Sequence, residues 1–233
     1  LRGFLYWRNE LFAVGFVSKP GIMNVARKMA LKHIDQTIAD PVLRKKVTPT
    51  YTVGCKRVLL SNEYYQTLCR SNVDVITEGI TEINASGLQT SDGKQHDVDA
   101  IVLATGFHAA DGVVAIDLKG RNGLDINQAW KDGAEAYLGT TVSGFPNLFL
   151  IVGPNTGLGH SSMLLMIEAQ VQYIMGAIAH LQRNKLKAIN VKPEVQEAYN
   201  KDIQQQLSHT VWQTGGCHSW YQNKNGKNVT LWP

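Results

Sequence analysis

Apolar residues from Leu1 to Phe16, and again from Ile22 to Ile38, recur at mixed three- and four-residue spacing, the period of a helix that buries one face. Lys19-Pro20-Gly21 interrupts the pattern, which predicts two helices broken there. Asp40-Pro41 starts another short turn or helix. After Gly54, Val58-Leu59-Leu60 reads as a short extended piece. The segment from Ser61 to Cys69 reads as a helix with Ser61 as its cap and Glu63 in the first turn, where the helix dipole favours an acid. Alternating apolar and polar positions from Asn72 onward, with turns at Ala85-Ser86-Gly87 and Ser91-Asp92-Gly93-Lys94, predict a small meander of strands.

The meander leads into the apolar run Asp99 to Ala104, expected to be a buried strand, and Asn147 to Gly153 has the length and bounding turns of another. His160 to Gln182 is the longest helical pattern and opens on Ser161-Ser162. Lys192 to Leu207 predicts a second, more polar helix with Pro193 near its first turn. The tail from Ser208 is rich in Trp, Gly and Asn and reads as irregular. Strands alternating with helices, with glycines at strand ends, predict an α/β fold whose ligand sites lie at strand C-termini.

Composition places the chain among folded proteins, since 44% hydrophobic and 18% charged residues lie far from the low-hydrophobicity regime of disorder. No uninterrupted apolar stretch approaches the roughly 18 residues of a spanning helix. Cations are scattered through residues 1–30, unlike a signal peptide. A soluble, cytoplasmic chain is expected. Cys55, Cys69 and Cys217, odd in number and without metal-like spacing, are expected to be reduced thiols. The net charge of +4 conceals an asymmetry: residues 1–57 carry 11 Lys and Arg against 3 Asp and Glu, and the remainder carries 12 against 16. A basic module that binds an acidic partner, a membrane surface or nucleic acid is one reading of that asymmetry. The cations are interleaved with apolar residues rather than clustered, which weighs against it.

Two glycine-bearing motifs are candidates for cofactor contact. In Asp99 to Phe107 an apolar run enters Thr105-Gly106, where a flat or charged ligand could approach backbone that has no Cβ. In Ile151 to Leu164 an apolar run ends at Gly153, a Gly-rich loop follows, and a helix starts near His160 to Ser162. The free N–H groups of a helix start can bind an anionic or electron-rich group. Gly157 and Gly159 do not complete a dinucleotide or Walker fingerprint. His160-Ser161-Ser162 lacks the nucleophile elbow of a serine hydrolase, and Cys217-His218 with Cys55 is a poor zinc pattern. No metal site is expected. Lys56-Arg57 stands directly before an apolar run, and Trp220, Tyr221 and Trp232 stand among polar residues, where aromatics can line a pocket.

Taken together, the stretches GCKRVLLSNEYY, NVDVI, DAIVLATGF, FPNLFLIVGPNTGLGHSSMLLMIEAQ and CHSWYQNKNGKNVTLWP resemble, in order and approximate spacing, the C-terminal half of the Baeyer-Villiger monooxygenases. The Lys-Arg pair and the Ser-Trp-Tyr tail resemble the branch of hydroxyacetophenone monooxygenase-like enzymes. The resemblance implies FAD, NADPH and O2 as cofactors and co-substrate, and a ketone or aromatic ketone as substrate, oxygenated beside its carbonyl to an ester or lactone. It implies that Arg57 is catalytic, holding NADP and stabilising the flavin peroxide and its ketone adduct. A permanently charged guanidinium suits that role.

By the same resemblance Lys56 approaches the 2′-phosphate of NADPH and Trp220 folds over bound NADP. Thr105, Gly106 and Phe107, with Gly153, Pro154, Ser161, Ser162 and Met163, would lie along FAD. The implied fold is that of the C-terminal portions of a flavoprotein with two Rossmann-like dinucleotide-binding domains. Residues 1–55 would be a helical insert, 56–96 the returning part of the NADPH domain and 97–233 the returning part of the FAD domain. The family's two glycine turns and its His and Trp fingerprint are not in this sequence. The expected partner is therefore the N-terminal half of the same enzyme, and this chain alone is expected to be inactive. A flavin enzyme oxidising nitrogen or sulfur is the alternative, and neither nucleic acid nor a membrane span is expected.

Overall fold

In the computed structural model, which describes residues 1–106, 110 and 116–233, the helices follow the predicted pattern closely. Helix α1 spans Arg2–Phe16 and α2 spans Met23–Thr37, separated by a single 3-10 turn at Pro20–Ile22. Helix α3, Pro41–Val47, is capped by Asp40, whose carboxylate accepts hydrogen bonds from Val42 N at 2.9 Å and Leu43 N at 3.2 Å. Asp40→Ala is expected to cost about 1 kcal/mol, read as a lower urea midpoint. Helix α4 is shorter than predicted, Tyr64–Leu68, because Ser61 Oγ accepts from Glu63 N and Tyr64 N in the turn before it.

The predicted meander is present as β1 (Ile80–Asn84), β2 (Gly87–Thr90) and β3 (Gln95–Asp97), an antiparallel sheet in that order with Ile83 opposite Leu88 and Leu88 opposite His96. In the second turn Asp92 accepts a 2.6 Å hydrogen bond from Thr90 Oγ1 and lies 3.1 Å from Lys94 Nζ. These contacts, the Thr90 bond foremost, lower its carboxyl from 3.8 to about 2. Because the folded value lies below the unfolded one, the turn gains stability above about pH 4 and loses it as pH falls through 2. An NMR titration of Asp92 is expected to give a midpoint near the lower value.

The chain divides into two units, one of residues 1–27, 50–58 and 108–233 and the other of 28–49 and 59–107. The second unit holds α3, α4 and the sheet, with Ile34 and Ile38 of α2 fully buried in it. The first unit carries the remaining helices: α5 (Ile126–Ala129), α6 (Met163–Arg183), α7 (Pro193–Leu207) and α8 (Val211–Thr214). One of its cores gathers Phe16, Ile203, Leu207, Val211, Trp212 and Tyr221, with the Phe16 and Trp212 rings stacked 5.8 Å apart. The other gathers Ile126, Trp130, Val142 and Phe145, and the Trp130 indole satisfies its N–H on Glu135 O at 2.9 Å.

Two predicted buried strands are not formed. Residues 99–104 have no strand partner among the described residues, and Val102 and Leu103 are 89% and 74% exposed. A strand exists only where a neighbour takes its backbone groups. Residues 147–153 place their amides elsewhere: Asn147 N donates to Ile189 O, Leu150 N to Thr140 O, and Val152 N to the side chain of Gln170. Asn147 and Val152 also have positive φ, which breaks an extended run. Val58, Leu59 and Leu60 are likewise exposed.

Helix α6 corrects the expectation drawn from uninterrupted runs. Its 21 residues have a mean hydropathy of 1.3, enough in length and composition to cross a membrane, and little of it is buried. Glu168, Gln170 and Gln172 interrupt the apolar run, so that property emerges only when hydropathy is averaged along the helix.

Candidate active site

The cation pair and the aromatic tail, far apart in sequence, meet in the first unit. Cys55 and Cys217 form a disulfide across 162 residues, with Cα atoms 6.1 Å apart, which overturns the expectation of reduced thiols for this pair. Their odd total and wide spacing gave no sign of pairing, since a bridge depends on where the fold brings the two Cβ atoms. Cys69 remains a free thiol. Beside the bridge, Thr52 N donates to Gly215 O at 2.9 Å. The loop bearing Lys56-Arg57 is therefore fixed to the loop bearing Trp220.

Arg57 and Lys56 are both exposed. The guanidinium donates a hydrogen bond to the hydroxyl of Tyr221, a residue with only 2% of its surface exposed. Burial raises the Tyr221 phenol above its usual range, and the neighbouring Arg57 charge pulls partly against that rise. The phenol thus stays neutral and able to accept from the guanidinium at ordinary pH. Lys56 Nζ lies 5.0 Å from the centre of the Tyr51 ring, a cation–π distance. The Trp220 ring stands 4.6 Å from that of Tyr221 and is 45% exposed, so it is not the buried core lid that its hydrophobicity alone would suggest. Arg57, Tyr221 and Trp220 form one contiguous cationic and aromatic surface.

The Gly-rich loop serves a different purpose from the one expected. A Cβ on Gly153 would fall 2.3 Å from Gly139 O, and one on Gly159 would fall 2.6 Å from the Trp212 ring. These glycines are required by close packing within the chain, and Pro154 is half-buried beside them. At the start of α6, Ser162 caps the helix by accepting from Leu164 N at 3.3 Å. The Met163 sulfur accepts from Leu158 N at 3.4 Å. Ser161 and Ser162 line a cavity of about 490 Å³ with Leu5, Tyr6 and Leu165.

Thr105 and Gly106 belong to the second unit and are exposed; Gly106 has φ +91° and open space where a Cβ would stand. Phe107 lies outside the described residues. Among the described residues no cluster of His, Cys, Asp or Glu is arranged to hold a metal. Two features escaped sequence reading: the disulfide, and a contact between His160 Nε2 and Glu10 Oε1 at 3.4 Å. Both join residues with at least 150 positions between them, and no local pattern signals either.

No family model matches the chain. It is 47% identical over all 233 residues to a Baeyer-Villiger monooxygenase of Pseudomonas aeruginosa, spanning 44% of that protein, and 41% identical to one of Streptomyces coelicolor, spanning 45%. Among solved structures, the OTEMO complex with FAD and NADP superposes with a TM-score of 0.83 at 25% identity, covering 94% of this chain and 41% of that one. Cyclohexanone monooxygenase from Rhodococcus sp. Phi1 bound to NADP+ gives 0.82 at 32%, with the same coverage. The chain spans less than half the length of these relatives, and over all of its own length it is a homologue of the Baeyer-Villiger monooxygenases.

Proposed function

We propose that this chain supplies the C-terminal portion of an FAD- and NADPH-dependent monooxygenase that inserts one atom of O2 beside a ketone carbonyl, giving an ester or lactone. The observation that carries the reading is the 47% identity to the Pseudomonas protein over every residue of the chain. In this reading residues 1–55 are a helical insert, 56–96 the returning part of an NADPH-binding domain and 97–233 the returning part of an FAD-binding domain. The exposed apolar segments at 58–60, 101–103 and 151–152 support it. They have the composition of interior strands, and strands of the dinucleotide-binding portions would supply their missing backbone partners.

The residues present fit the two cofactors in chemistry. Lys56 presents an exposed ammonium suited to a phosphate, and Arg57 an exposed guanidinium held by Tyr221. Trp220 offers a half-exposed ring able to stack on a nicotinamide while its indole N–H donates. Thr105 and Gly106 leave backbone open to a ring edge, with Phe107 following them. Gly153 and Pro154 bring the chain to the loop before α6, and Ser161, Ser162 and Met163 stand at that helix start. Bound FAD, reduced by NADPH, supplies the activated oxygen. Arg57 then opposes negative charge as it develops on the substrate oxygen, a contribution that a fixed donor makes without reorganisation.

The test is to co-express the chain with the portion of the Pseudomonas relative that it does not span. NADPH consumption and product are then measured with a panel of ketones, amines and sulfides. Ester formation coupled to NADPH use is expected. Oxidation confined to nitrogen or sulfur would move the assignment to the alternative flavin chemistry.

A further inference from the structure

We propose that a second cavity in the first unit is a binding site for a neutral ring compound carrying a hydroxyl group. The cavity measures about 490 Å³, within the range of small-molecule sites, and it lies between α1, the Gly-rich loop, α6 and α7. Its body is apolar and aromatic, with walls from Tyr6, Leu165, Met166, Tyr173, Tyr199 and Trp232. Such walls suit the faces of a ring.

The polar lining is almost fully spent, and what is left over specifies the ligand. Gln170 accepts from Val152 N and donates to Gly139 O and Thr140 Oγ1. Thr156 donates to Gly153 O. Asn155, 2% exposed, uses its amide N–H groups on Asn228 O and Leu231 O, both at 2.9 Å, and its Oδ1 is buried with no partner. The His160 side chain is 7% exposed, with Nε2 facing Glu10 Oε1 and Nδ1 buried without a partner. A proton on Nε2 meets the carboxylate, so Nδ1 presents a lone pair. Both unpartnered atoms are therefore acceptors on residues that line one apolar cavity. Buried acceptors without partners are uncommon and costly, and a ligand O–H is the group that satisfies one. A ketone or ether of the same shape brings only acceptors.

The site requires neither flavin nor nicotinamide, so its test is independent of the oxygenase assignment. The purified chain is titrated with 4-ethylphenol, 4-ethylanisole and 4-ethylbenzylamine, followed by calorimetry. The phenol is expected to bind about tenfold more tightly than its methyl ether, the worth of one buried hydrogen bond. In His160→Phe that preference is expected to vanish while the ether binds as before. In Met166→Trp, which fills the cavity, binding of both is expected to be lost with the melting temperature unchanged or raised. Equal affinity of phenol and ether in the unaltered chain, or binding of neither, overturns the proposal. Tighter binding of the amine also overturns it, because recognition would then rest on the Glu10 charge.

Discussion

Replacing Arg57 by alanine is expected to lower ester formation about 100 to 1000-fold in the assembled oxygenase, the usual effect of removing one donor that stabilises developing negative charge. The residue is well placed for such a loss. Its guanidinium is held on one side by Tyr221 and exposed on the other, so the variant removes charge without opening a core. Arg57→Lys should recover only part of the rate, because an ammonium keeps the charge but not the planar fork. Loss in kcat/KM with unchanged thermal stability would locate the effect in the chemistry. A variant that retained full activity would remove Arg57 from the mechanism.

Opening the Cys55–Cys217 bridge is expected to produce the largest loss of stability of any two-residue change in this chain. A cross-link closing a loop of 162 residues restricts the unfolded chain strongly, and the loop-entropy relation gives about 5 kcal/mol, with about 2–5 kcal/mol typical on removing a native bridge. The comparison is between urea midpoints of the unaltered chain and of Cys55→Ser with Cys217→Ser, each with and without dithiothreitol. The unaltered chain should shift with reductant and the double variant should not. A midpoint indifferent to reductant in both would show that the two thiols are not joined. The bridge also bears on function: it ties the Lys56-Arg57 loop to the Trp220 loop, so the double variant should raise KM for NADPH in the assembled enzyme.

The sequence was most legible where structure is local. Periodicity and caps placed α1, α2, α6 and α7 within a few residues, and Asp40 and Ser162 act as caps at the starts of α3 and α6. The turns at 85–87 and 91–94 gave the meander because turn chemistry is carried by the turn residues themselves. Legibility ended where a segment depends on a partner. The runs at 99–104 and 147–153 have strand composition, yet the first lies exposed and the second sends its amides to a loop and to Gln170. Composition records what a segment could pair with, and a strand forms only when that partner is present. At the site, Lys56, Arg57 and Trp220 were found individually. Their convergence through Tyr221 and the disulfide, and the unpartnered acceptors of Asn155 and His160, are products of tertiary packing that no spacing along the chain encodes.

The most direct measurement of the central claim is the mass of the product formed by the assembled protein from a cyclic ketone under 18O2. One heavy oxygen atom in the lactone ring, in amounts matching NADPH consumed and strongly reduced by Arg57→Ala, is the predicted result. NADPH oxidation with no labelled lactone from any ketone in the panel would contradict it.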